Sequence, residues 1–266
     1  MQVVGLTATP FRADTGLLTD TPEGAVPGLF GCMVYDYPIS RAVAEGYLAP
    51  LHPKPAKEMI DYNNVEVRMG DYKSEKTEKL AEETTIAAVD EIIASGHDRK
   101  GWLIFCPGVS HAEKVAEEMK RRGVACESIC GSTPKEQRVA MIQDFRDGKL
   151  TALTNCNVLT HGFNVPHVDL IAMLRPTLSP VLYVQMVGRG TRLAPGKKSC
   201  LVLDFAGNVM RHGPLDALNI ASSGKAAATP DNSPAPVKIC DECDVYNHAA
   251  RRECLACGAA FPVVVR

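Results

Sequence analysis

The 266-residue chain has no apolar run long enough to span a bilayer, so no membrane-crossing segment is expected. It has little net charge: 29 Lys and Arg against 31 Asp and Glu leave −2. That balance excludes a chain that is polybasic throughout and leaves room for a local basic face. The stretch Met1 to Pro10 lacks the basic region and small-residue cleavage site of a secretory signal, so a cytoplasmic location is the expectation. There is no internal repeat. What is present is ordinary for a globular protein: 45% apolar and 23% charged residues, with length for one large domain or a core domain plus small modules. Six of the ten cysteines (Cys32, Cys106, Cys126, Cys130, Cys156 and Cys200) sit in apolar or strand-like contexts and read as small buried hydrophobes of a reducing compartment. The other four come last in the chain.

Residues 2–6 read as a strand ending abruptly at Thr7-Ala8-Thr9-Pro10. An initiator methionine directly on a core strand carries the expectation that the first part of a domain precedes it. Residues 12–36, rich in Gly, Pro, Thr and Asp, read as an irregular excursion. Residues 38–47 predict a short helix and 48–55 proline-broken extended chain. Residues 74–95 predict one longer helix, with a stripe of Leu80, Thr84, Ala87, Ala88, Ile92 and Ile93 and Gly96 as its cap.

From Lys100 strands and helices alternate. Strands are predicted over 102–106, 124–129, 151–155, 168–174 and 199–205. Between them, Ser110-His111-Ala112-Glu113 and Thr133-Pro134-Lys135-Glu136 read as capping boxes opening helices that stop at Gly123 and Gly148. Wholly apolar strands alternating with amphipathic helices mean a parallel sheet covered on both faces, with ligands gathering beyond the carboxyl ends of the strands. The loops after Asn155 and Leu174 are therefore the expected seat of the chemistry. Residues 221–237, small and proline-rich, read as a linker.

The second of those loops leads into residues 179–192, around which the chain is organised. Ser179 and Pro180 predict an N-cap with proline at the first helical position. Were the helix to continue, Gln185, Arg189 and Arg192 would share one face, flanked by Gly188 and Gly190. Two guanidiniums and an amide suit a polyphosphate, because arginine presents a planar fork of donors. The same residues also fit a solvated arginine pair at a helix C-terminus.

Cys240-Asp-Glu-Cys243 and Cys254-Leu-Ala-Cys257-Gly258 form two C-x-x-C pairs ten residues apart, in a segment too short for a core of its own. Four thiolates at this spacing enclose a tetrahedral Zn2+ that supplies folding energy; a disulfide pair or a redox C-x-x-C is the alternative. With four cysteine ligands the site is closed, hence structural. Lys238, Arg251 and Arg252 lie around it, as phosphate contacts or as a solvated basic rim.

Taken together, these stretches resemble the C-terminal half of a superfamily 2 helicase of the DEAD/DEAH-box type. Thr7 to Pro10 is similar to that family's motif III, Leu103 to Cys106 to motif IV, Leu159 to Pro166 to motif V, and Gln185 to Arg192 to motif VI. With Asp204-Phe205-Ala206-Gly207 and the cysteine tail, the chain resembles the RadD-type bacterial DNA-repair helicases most. The resemblance implies an α/β fold: residues 1–36 as the end of a first RecA-like domain, 37–99 as a connecting helical segment, 100–220 as a second RecA-like domain with helices on both faces of a parallel sheet, 221–237 as linker and 238–266 as a small zinc ribbon or knuckle.

It also implies a division of labour. ATP with Mg2+ is shared with a first RecA-like domain, in cis or in trans, which supplies the phosphate loop, the magnesium-binding carboxylate and the base for the attacking water. Arg189 and Arg192 are then arginine fingers, and Gln185, Gly162, Asn164 and Gly188 line the nucleotide. Thr7 and Thr9 couple hydrolysis to domain movement. The implied partners are nucleic acid, DNA rather than RNA, and other repair proteins, with no membrane. The chain departs from the family at Asn164, where an aspartate is usual. It also has no G-x-x-x-x-G-K-[ST] loop and no Asp-Glu-x-[Asp/His] box, so alone it should neither bind ATP tightly nor hydrolyse it. The competing reading is a non-catalytic module, an orphan RecA-like domain with a zinc knuckle that binds nucleic acid or protein.

Overall fold

The computed structural model describes residues 4–7, 11–12, 16–18, 30–68, 71–72, 74–156, 158, 164–217 and 236–262. Thr9, Gly162 and nearly all of the 221–237 linker lie outside them.

Six strands form one parallel sheet: β1 (Leu51–Pro55), β2 (Trp102–Phe105), β3 (Cys126–Ile129), β4 (Ala152–Asn155), β5 (Leu170–Met173) and β6 (Cys200–Asp204). Their spatial order is β1-β6-β5-β2-β4-β3. Every residue of β2, β4, β5 and β6 is buried, as strands covered on both faces require. The period of two divides them between two cores. Ile104, Leu170, Ala172, Leu201 and Leu203 face α2 (Ser74–Glu83), α3 (Thr85–Ser95) and α4 (Val109–Arg121). Leu103, Phe105, Leu153, Ile171, Met173 and Val202 face α5 (Lys135–Arg146), α6 (Pro180–Val187) and α7 (Asn208–His212). This is the parallel sheet covered by helices on both faces that the sequence predicts. A short helix α1 (Ile39–Ala44) precedes β1, and the hairpin β7 (Val237–Ile239) and β8 (Tyr246–His248) opens the cysteine module. Among the described residues no helix is long and apolar enough to cross a membrane.

Several local expectations are corrected. Residues 4–7 form no strand, and Val4 and Leu6 stand exposed. Residues 51–55, expected as mere extended chain, are an edge strand, so the sheet begins well before residue 100. Cys200 N–H donates to the Pro50 carbonyl and Ala56 N–H to that of Asp204. Even-numbered positions therefore bond β6, while Pro53 and Pro55 turn their missing N–H groups away from the ladder.

The single helix expected over 74–95 breaks at Thr84. There the Thr84 and Thr85 hydroxyls both donate to the Ala81 carbonyl, at 3.1 and 3.3 Å. The buried stripe accordingly runs through Ala81, Thr85, Ala88, Val89 and Ile92. Neither capping box forms. Glu78 of α2 takes the place of Ser110 and accepts from His111 N–H at 3.0 Å; its carboxylate occupies the space a Cβ at Gly108 would need. The Thr133 hydroxyl turns back to accept from Cys130 N–H at 3.0 Å.

Candidate functional site

Ser179 caps α6 as its sequence predicts: its hydroxyl accepts from Leu182 N–H at 3.3 Å, with Pro180 in the first turn. The helix does not continue to Arg192. It tightens to a 3-10 turn over Gly188–Thr191, and Arg192 leaves with extended backbone, φ −69° and ψ 141°. The three-residue face expected for Gln185, Arg189 and Arg192 is thereby corrected. The two arginines still come together: burial, then the Arg192 charge, lowers the pKa of Arg189, and burial lowers that of Arg192. Arg189 is only 8% exposed, and Nη1 of Arg192 is buried without a hydrogen-bond partner. Gln185 and Gly188 are half-buried nearby.

The expected position at the carboxyl ends of the strands is also corrected. Helix α6 starts there and carries the arginines back to the amino ends. A Cβ on Gly190 would overlap Cys200 at the start of β6 and crowd Ile171 in β5, and Ala49 N–H, just before β1, donates to the Thr191 carbonyl at 2.6 Å. The 156–167 loop ends at the same edge. Lys197 ties the two together: its ammonium donates to the carbonyls of Gly190 at 2.7 Å, Arg192 at 2.8 Å and Pro166 at 3.3 Å. Burial lowers its pKa. Asn164 is exposed in that loop, and its carbonyl accepts from Arg146 Nη2 at 3.0 Å. Thr7 is exposed.

The four C-terminal cysteine sulfurs lie within 4.8 Å of one another. Cys240 and Cys257 sulfurs are 3.7 Å apart and Cys243 and Cys254 sulfurs 3.5 Å, close to the roughly 3.8 Å edge of a tetrahedron with Zn–S near 2.3 Å. Two matching turns build the site. Asp244 N–H donates to the Cys240 carbonyl and Gly258 N–H to that of Cys254, and both residues sit in the left-handed region, at φ 58° and 76°. Burial would raise the Cys254 thiol, but N–H groups of Cys257 and Ala256 and the Asn247 amide outweigh it and bring it to about 6. The donor set and spacing fit zinc.

Residues 84–194 match the helicase conserved C-terminal domain. The chain is 34% identical over 217 residues to a Schizosaccharomyces pombe protein named as the mitochondrial ATP-dependent helicase Irc3, covering 79% of this chain and 34% of that one. It is 27% identical to the Saccharomyces cerevisiae protein named as ATP-dependent helicase Irc3, covering 77% of this chain and 29% of that one. Residues 84–194 are a helicase C-terminal domain. The chain spans about a third of the length of these two relatives. In fold it is similar to a fragment structure named as an HsdR subunit of a type I restriction enzyme from Vibrio vulnificus. That likeness has a TM-score of 0.56 and 19% identity, and covers 70% of this chain and 38% of that one.

At the far end of α6 from the arginine turn, where the helix starts, stand residues that sequence reasoning missed. Asp71 accepts from Leu178 N–H at 2.9 Å and the Thr177 hydroxyl at 3.2 Å, and faces Arg175 at 3.6 Å. Asn208, fully buried, accepts from Thr177 N–H and donates to the Arg175 carbonyl, both at 2.9 Å. Together they fix the loop that launches α6. Each acts on a segment tens of residues away, so no local pattern marks it.

The two glycines beside Arg189 differ. A Cβ at Gly188 would meet nothing within 4 Å and its φ is −62°, whereas one at Gly190 would collide with Cys200. Gly190→Ala should therefore destabilise the helicase domain by about 1–3 kcal/mol through overpacking. Gly188→Ala should stay within about 0.5 kcal/mol of wild type. Urea unfolding of both variants checks this; equal losses would show that the fold, not access to the arginines, requires both glycines.

Proposed function

We propose that the chain is the C-terminal portion of an ATP-dependent DNA helicase or translocase of superfamily 2, RadD-like and acting in DNA repair. Arg189 and Arg192 would serve as its arginine fingers. The observation that carries this reading is the arginine turn itself. Two guanidiniums are held together, partly desolvated, on a backbone that Lys197 clamps from three carbonyls. Like charges in that arrangement are relieved by a polyanion.

Arg189 and Arg192 would donate to the γ-phosphoryl oxygens where negative charge develops, and their fixed geometry removes the cost of reorienting them during transfer. Gln185 would hold the phosphates or the domain interface. Gly188, with open space at its Cα, lets a nucleotide approach. In the neighbouring loop, Gly162 and Asn164 would line the nucleotide. Thr7 and Thr9 would relay hydrolysis to domain movement. The phosphate cradle and magnesium ligand belong to the first RecA-like domain. Zn2+ at Cys240, Cys243, Cys254 and Cys257 would be structural. The preference for DNA over RNA, and for repair-protein partners, rests on the RadD-type resemblance.

The test is to join the chain to a first RecA-like domain carrying a phosphate loop and an Asp-Glu box. The joined protein should hydrolyse ATP with stimulation by single-stranded DNA more than by RNA, and the chain alone should not. No turnover in the joined protein, with tight zinc-dependent DNA binding by the chain alone, would instead establish a non-catalytic binding module.

A further inference from the structure

The cysteine module does not hang free on its linker; it is packed into the same core as the helix that leads to the arginines. Tyr246 of β8 is 1% exposed and lies in the same core cluster as Tyr183, Val184, Met186 and Val187 of α6. β8 runs beside β1. Arg251 Nη2 meets Asp216 Oδ2 at 2.5 Å, both partly buried. Arg251 and Leu255, from the turn between the cysteine pairs and from the second pair, line a mostly apolar cavity that Val187 and Thr191 also line. Thr191 is the residue between the two arginines' turn and its exit, so the module reaches to within one cavity of them.

The basic residues around the cysteines are largely engaged within the chain. The Lys238 ammonium donates to the Arg251 carbonyl and sits 3.9 Å above the Phe261 ring. Arg251 is held by Asp216. Only Arg252 of the three stands exposed. A phosphate-binding rim would need those cations turned outward.

We propose that the four-cysteine module is a brace for the arginine turn: metal binding there holds Tyr246, Arg251 and Leu255 against α6 and so fixes the positions of Arg189 and Arg192. This rests on the zinc and arginine readings above. Cys240, Cys243, Cys254 and Cys257 would hold the metal and so keep the two turns closed, fixing Leu255 within the second turn and the intervening stretch that carries Arg251. Without the metal a segment this short keeps no core of its own; the core shared with α6 then loses Tyr246, the cavity beside Val187 and Thr191 loses Arg251 and Leu255, and Asp216 loses its ion-pair partner. Arg251 and Tyr246 are positioning residues in this scheme, acting on the phosphates only through α6.

The experiment is amide hydrogen exchange by mass spectrometry on the full chain, followed in peptides covering 180–192 and, as a distant control, 102–119. Three samples are compared: zinc-loaded wild type, wild type after chelation, and zinc-loaded Arg251→Met with its metal content measured. Chelation should speed exchange of 180–192 at least tenfold. Arg251→Met should keep one zinc per chain and speed the same peptide threefold or more, with 102–119 unchanged in that variant. Unaltered exchange in 180–192, or equal acceleration in both peptides of Arg251→Met, would overturn the brace. So would loss of single-stranded DNA binding in Arg251→Met with 180–192 unchanged, which would make the module a nucleic-acid contact. Because the readout needs neither ATP nor the first domain, it stands or falls separately from the assignment of the arginines as fingers.

Discussion

Arg189→Ala in the chain joined to a first RecA-like domain should lower the ATP turnover number by 10³-fold or more while single-stranded DNA binding changes little. The magnitude follows from the role. An arginine that stabilises charge on a transferring phosphoryl group contributes about 10³- to 10⁵-fold, which is about 4–7 kcal/mol of barrier. Arg189→Lys should recover little of this, because a point charge cannot reproduce the planar fork and its stem would have to desolvate a more strongly hydrated head. Arg192→Ala should follow the same pattern. Both guanidiniums are already partly desolvated in the folded chain, so the site meets the nucleotide prepared. The measurement is steady-state turnover beside a DNA titration, with circular dichroism to confirm folding. Wild-type turnover in Arg189→Ala removes the finger role; turnover and DNA affinity lost in equal measure would move Arg189 to the nucleic-acid contact.

The second large effect is on stability in mild acid. His111 is fully buried in α4, with Nε2 3.2 Å from the Thr85 hydroxyl. His212 in α7 stacks on Tyr183 at 5.0 Å, and its Nε2 lies 2.9 Å from the Thr177 carbonyl. Burial is the main cause that drives each from 6.5 to about 4. For a depressed histidine the sign is definite. Above pH 6.5 both folded and unfolded rings are neutral; between 6.5 and about 4 only the unfolded ring takes a proton, so the folded state loses ground as pH falls. Each histidine then removes on the order of 3 kcal/mol across that interval. Together they approach the whole stability of an ordinary domain, so the chain should unfold between about pH 5 and pH 4. Unfolding free energy measured by urea titration at half-unit steps tests this. His111→Gln, which cannot protonate, should flatten the slope by about half; an unchanged slope would show that His111 does not carry its share of the pH dependence.

How far the sequence was legible depends on where each signal resides. The continuous runs at Trp102–Phe105, Leu170–Met173 and Cys200–Asp204 declare doubly covered parallel strands, and Ser179-Pro180 declares its helix start, because those signals lie within a few adjacent residues. β1 was hidden by Pro53 and Pro55, which suit only an edge strand, and edge position is a property of the whole sheet. Ser110 and Thr133 have capping chemistry, but Glu78 caps α4 from a distant helix and the Cys130 N–H, three residues back, takes the Thr133 hydroxyl. The cysteine quartet was legible from spacing alone. The arginines were legible as a pair, but their location at the amino ends of the strands was not. The carboxyl-end rule describes a sheet that binds its own ligand, and here the helix carries its charges to the opposite edge. Lys197, Asp71 and Asn208 left no trace in pattern, since each acts through contacts that only the folded chain creates.

The two prolines of β1 also decide how this molecule meets its copies. Positions 51, 53 and 55 face outward from the ladder, and only Leu51 among them has an N–H to offer. A strand from another molecule added at this edge would find two of three donors missing and two pyrrolidine rings in its path. The chain's own β8 lies alongside without pairing. That flank of the sheet is therefore closed to domain swapping and to edge-to-edge fibre growth, and among the described residues β3 forms the sheet's other edge.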